Sequence, residues 1–287
     1  MKKIYYITAV FATLFLVGCG DGIDLPGVNV ETDLNKIPLP DNNVNLEQVE
    51  LKPPTEPMLH EGLHTEEDFQ RIRDKKAAGE EPWVSAYQLL VESQFSQKTA
   101  DTYPTEWIKR GISGDENYMN AARGATIVYQ QALRWKIEQD DEYAAKAVEN
   151  LNKWVQTCVG VTGNTNLSLA AGLYGYEFAI AGELLRDYGG WDRADFAAFQ
   201  NWLLKVFYPA NDDFLKRHHD TNALHYWANW CLCNIAAKMA IGIVTDRRDI
   251  YNEGIDHLQT GDTNGRLRRA IYHDYAPDYN FAQWQES

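Results

Sequence analysis

The stretch from Lys216 to Val244, KRHHDTNALHYWANWCLCNIAAKMAIGIV, constrains this chain more than any other. Leu224, Trp227, Cys231, Ile235, Met239 and Ile243 fall at helical spacing, while Tyr226, Trp230, Cys233 and Ala237 cover a second face. A helix apolar on two faces is buried on both sides, which belongs in a large all-α domain. Its first turns nevertheless carry His218, His219, Asp220, Asn222, His225 and Tyr226. Polar side chains at the head of a buried helix mark the place to look for chemistry.

The rest of the chain supplies the neighbours such a helix needs. Thr65 and Asp68 have capping-box spacing ahead of a short amphipathic helix that Gly79 ends, and Pro82-Trp83 opens the next. Long helices are predicted over Asn117–Ile137, Glu142–Cys158 and Leu167–Tyr188. Asp192 reads as the N-cap of another helix, which Pro209 closes, and Asp249–Leu258 as the antiparallel partner of the organising helix. SQKTADTYPTEWIKRGISGDEN is an irregular segment long enough to be a functional loop. No strand-like alternation of convincing length appears. Helical hairpins of uneven length fit a curved or closed array better than a strict solenoid.

The charge of −14, from 41 acidic and 27 basic residues, argues against nucleic acid as a partner. Met1-Lys2-Lys3 followed by the apolar run Ile4 to Val17 reads as a signal peptide too short to span a membrane. It ends in Leu16-Val17-Gly18-Cys19, which looks like a lipoprotein processing box and predicts a lipid anchor on Cys19. The expectation is therefore a leader over 1–19, a flexible Pro-rich linker over 20–58 and a folded domain over 59–287. The exported lipoprotein would sit in the periplasm or on the outer-membrane surface. Cys158, Cys231 and Cys233 read as small buried apolar residues, and no metal-ligand spacing appears.

MNAARGATIVYQQALRWKI resembles the alginate-lyase-like polysaccharide lyases, and the likeness continues through AAGLYGYEFAIAGELLRDYGGW and VFYPANDDFLKRHH. It is strongest at HYWANWCLCNIAAKMAIGIVTDRRDIYNEGIDHL and extends back to GLHTEEDFQRIRDKKAAGEEPW. The resemblance implies an α/α toroid of helical hairpins whose inner helices line a groove. The implied substrate is an anionic uronate polysaccharide such as alginate, cleaved by β-elimination without a cofactor. The helices here amount to about four hairpins, fewer than the family toroid uses, and the chain stops at Phe281–Ser287 in what resembles the middle of a motif; an incomplete toroid is expected.

β-Elimination needs a cation or donors on the uronate carboxylate, a base for the C5 proton and an acid for the leaving oxygen. The family places an Asn-His pair ahead of a Tyr-Trp-Ala-x-Trp run, and later a tyrosine in an arginine-rich segment. In this sequence the resemblance implies Asn222 and His225, three apart and so on one helix face, with Tyr272 as the acid and Arg268 holding a carboxylate. Arg269, His218, His219, Tyr226, Trp227 and Tyr275 are the further substrate-binding candidates. Two other readings remain: a glycan-binding surface lipoprotein without catalysis, and a toroidal glycoside hydrolase. The hydrolase would need two acidic groups roughly 5–10 Å apart across a groove.

Overall fold

Helices begin where the sequence supplies caps. In the computed structural model, which describes Met58, His60 and residues 62–272, the Thr65 hydroxyl accepts from the Asp68 N–H. The Asp68 carboxylate accepts from the Thr65 N–H at 3.0 Å, closing the expected box ahead of α1 (Glu66–Ala77). After α2 (Trp83–Glu92) come α3 (Tyr118–Glu138) and α4 (Asp141–Thr157), a hairpin whose turn residue Asp140 accepts the Glu142 N–H at 3.0 Å. Then follow α5 (Asn166–Leu185), α6 (Arg193–Val206), α7 (Tyr208–Arg217), α8 (Ala228–Val244), α9 (Arg248–Thr260) and α10 (Leu267–Tyr272). Asp192 caps α6 at 2.7 Å, as its position predicted, and Pro209 sits in the first turn of α7, where a missing N–H costs nothing. The chain is mostly helical, an all-α fold.

Three expectations need correction. The irregular segment before α3 contains β1 (Trp107–Arg110), which pairs in parallel with β2 (Gly160–Gly163), Arg110 opposite Gly163. Four residues are too few to show alternation, so the pair escapes a reading by period. The organising helix starts at Ala228 rather than before the histidines; Lys216–Val244 divides into the end of α7, a 3₁₀ turn at His218–Asp220, a loop and α8. Asn222 and His225 consequently share a turn, not a helix face. The leader 1–19 with Cys19, the 20–58 linker short of Met58, and Tyr275 lie outside the described residues; of Tyr272 only its place at the end of α10 is described.

The core is an aromatic slab between α4, α5 and α6. Phe178 packs against Trp154, Trp202 and Phe207 with ring centroids 5.4, 5.2 and 6.0 Å apart, all four fully or almost fully buried. Burying each contributes on the order of 1.5–3 kcal/mol, with the tilted and edge-on contacts adding to that. The most extensive helix contact is α5 on α8, and it requires Gly172. A Cβ there would come within 2.6 Å of Cys233 Sγ and 3.0 Å of its carbonyl carbon. α8 folds back onto α9 through a short turn, and Gly242 again lets backbone approach backbone, 2.6 Å from the Tyr251 nitrogen for an added Cβ.

Candidate active site

The site lies where the N-terminal ends of α5 and α8 meet the loop between α7 and α8. His218, His219 and Asp220 all take left-handed backbone conformations, with φ of 49°, 53° and 59°. For non-glycine residues this costs roughly 1–2 kcal/mol each. The turn is held from several sides. Thr221 donates its hydroxyl to the His218 carbonyl at 2.6 Å, and Arg217 grips Asp213 at 2.7 Å and Asp220 at 3.4 Å. The reversal drives both imidazoles inward, and both are buried.

His219 Nε2 lies 3.0 Å from Ser168 Oγ on the first turn of α5. Its Nδ1 is buried without a partner of good hydrogen-bond geometry. Burial pulls this imidazole below its usual range, against the smaller upward pull of Asp213 and the Thr165 backbone. His218, tilted against Phe214 and 3.9 Å from Cys231 Sγ, is pushed down to about 4 by burial, with His257 and His219 adding to the effect. Both rings are neutral near pH 7.

Tyr226 is the hub of the loop. Its ring meets His219 at 5.8 Å and His225 at 5.0 Å, both edge-on, and tilts against Trp230 at 4.8 Å. Burial raises its phenol, with Thr165 beside the hydroxyl pulling the other way. His225 is exposed on the outer side of Tyr226. Asn222, also exposed, shapes the turn: its side-chain oxygen accepts the Leu224 N–H at 2.8 Å and its carbonyl accepts the His225 N–H at 2.9 Å. Trp227 is 63 % exposed beside them, ahead of α8.

The second sequence motif comes to the same place. Asn264 donates its amide to the Leu224 carbonyl at 2.9 Å and to the Tyr226 carbonyl at 2.8 Å. Next to it, Gly265 packs on Cys231. These contacts tie the start of α10, with Arg268, Arg269 and Tyr272, to the His225 loop. Arg268 is exposed. Arg269 is half-buried, and its Nε and Nη1 are enclosed with no hydrogen-bond partner among the described residues. Nothing in the sequence drew attention to Asn264, which stands in the turn-forming string Gly261–Gly265, or to Ser168 and Thr165 at the head of α5.

The carboxylates around the turn are committed elsewhere. Asp212 holds Lys216 at 2.7 Å and the fully buried Lys238 at 2.6 Å, and Asp213 and Asp220 share Arg217. Among the described residues no group of three or more His, Cys, Asp or Glu side chains could hold a metal ion. The cluster therefore offers imidazoles, a phenol and guanidinium groups, a set suited to moving a proton beside a carboxylate.

Neither a curated protein nor a solved structure matches the chain. The family model for alginate lyase matches residues 72–270, well over half of the chain and spanning α1 to α10. The match takes in the histidine turn, the His225 loop, Asn264, Arg268 and Arg269, and ends two residues short of Tyr272. This chain belongs to the alginate lyase family, and so to the polysaccharide lyases that act on anionic polysaccharides.

Proposed function

We propose that this protein cleaves a uronic-acid polysaccharide, alginate or a close relative, by β-elimination at the His225 loop. The observation that carries the reading is the Asn264 clasp, which unites two motifs otherwise 38 to 40 residues apart. Arg268 and Arg269 face the uronate carboxylate, and neutralising it acidifies the C5 hydrogen. His225 accepts that proton, with Asn222 fixing the turn that presents it. The electron pair left at C5 closes a C4=C5 double bond as the C4–O bond breaks, and Tyr272 protonates the departing oxygen. Trp227, largely exposed, offers a ring face to the sugar, while the buried Tyr226 ring, packed on the neutral His219, holds the loop from within. The ion-paired state of Asp212, Asp213 and Asp220 favours elimination over hydrolysis, which needs a carboxyl pair free to exchange protons and attack.

Incubation with alginate, glucuronan and glycosaminoglycans, following ultraviolet absorbance of the new C=C bond, tests the reading and picks the substrate. A rise on at least one polymer is expected. Retained binding with no rise on any would make the protein a glycan-binding module instead. We also propose that Cys19 carries a lipid that anchors the exported protein to a membrane. A Cys19→Ser form should then fail to incorporate labelled fatty acid and should leave the membrane fraction; labelling that survives the change would refute it.

A further inference from the structure

The clasp and the histidine turn do not account for Arg110, the last residue of β1. Its guanidinium lies over the Tyr118 ring at 4.6 Å from the centroid and 3.5 Å from the Tyr174 hydroxyl. It has no carboxylate partner among the described residues, although the chain carries 14 more acidic than basic side chains. A half-buried guanidinium has exchanged water for two tyrosines and still presents a charged fork.

Its position is fixed by backbone. Arg110 stands opposite Gly163 in the parallel pair, and the Asn117 side chain accepts the neighbouring Lys109 N–H at 2.7 Å while donating to the Trp107 carbonyl at 2.9 Å. Two residues beyond Gly163 is Thr165, which lies beside both His219 and Tyr226. One strand spacing plus two Cα steps puts the Arg110 backbone within about 12 Å of Thr165. The charge of Arg110 also reaches Cys233, which packs on Gly172, one turn along α5 from the His219 partner Ser168. Thr165 thus joins the strand that carries Arg110 to the His219–Tyr226 side of the proposed reaction centre.

We propose that Arg110, on its Tyr118–Tyr174 cradle, binds the carboxylate of the uronate next to the one cleaved, making the protein a reader of consecutive negative charges. The subsite rests on the lyase reading for its substrate class, yet binding can be measured apart from cleavage. Calorimetry would compare a saturated oligouronate with its carboxyl-reduced counterpart, on the wild type, Arg110→Gln and Arg110→Lys. Arg110→Gln should bind the oligouronate about tenfold more weakly or worse, with binding of the reduced form unchanged, and Arg110→Lys should fall between because it keeps the charge and loses the fork. On polymer, KM should rise in parallel while kcat stays within about twofold. Equal oligouronate affinity in wild type and Arg110→Gln overturns the subsite, as does a wild type indifferent to carboxyl reduction. If affinity depends on Arg110 but no unsaturated product forms, the subsite stands and the lyase reading falls.

Discussion

The α4–α5–α6 slab and the His218–Trp227 loop are built on opposite terms. In the slab, caps, helical period and aromatic burial all favour the same structure, and Phe178, Trp154 and Trp202 sit fully or almost fully buried in ordinary helices. In the loop, three successive residues take left-handed conformations, two imidazoles are buried neutral and one ring nitrogen lacks a good partner. Local preference is overruled there, and only surrounding contacts such as Arg217–Asp213, Thr221 and Asn264 keep the arrangement. Strain of this kind clusters at functional sites, whereas agreement between levels belongs to a scaffold.

That contrast can be broken in order of size. Phe178→Ala should destabilise the fold by about 3–5 kcal/mol, read from denaturant melts, because it opens a cavity among rings that cannot collapse. Asn264→Asp should do the reverse: a loss of about 1–3 kcal/mol in the melt, but a fall of tenfold or more in lyase rate. The aspartate would set an acceptor against the Leu224 and Tyr226 carbonyls and spread the two motifs. Equal losses of stability and rate in both variants would erase the distinction between scaffold and site.

The pH response should also separate the regions. His218, pushed down to about 4 when folded against 6.5 unfolded, stabilises the protein above pH 6.5, and that contribution drains away as pH falls towards 4. Glu177 on α5 is opposite: burial raises its carboxyl from 4.5 to about 7, so its contribution is complete below 4.5 and is lost as pH rises through 7. Melting curves of His218→Gln should be flatter than wild type between pH 4 and 6.5, and those of Glu177→Gln flatter between 4.5 and 7. Slopes unchanged in both variants would refute these assignments.

The smallest effect comes from glycine at left-handed positions. Gln139, φ 57°, ends α3 in the open, so Gln139→Gly should add about 0.5–1 kcal/mol of stability and leave activity alone. Asp220→Gly relaxes similar strain in the histidine turn, but it also removes a partner of Arg217 and should lower activity. Matching behaviour at the two positions would count against a functional role for the strain.

Much of the scaffold was legible because period and caps are local signals. Thr65–Asp68 and Asp192 name helix starts, and both caps form. The candidate site could be named from the sequence as a set of residues, not as a geometry. Nothing in His218-His219-Asp220 announces a left-handed turn, since none is glycine, and helical spacing read through Leu224 and Trp227 ran the helix too far. Asn264 and Arg110 owe their meaning to partners distant in sequence, a relation that spacing cannot carry. β1 and β2 are visible only as a pair.

The most direct measurement is the product formed from alginate by the wild type and by His225→Ala, followed by ultraviolet absorbance and by mass. The account predicts unsaturated ends from the wild type and a loss of about a hundredfold or more in the variant, the scale of a missing proton acceptor. Products one water heavier, or a variant that turns over as fast as the wild type, would contradict elimination at the His225 loop.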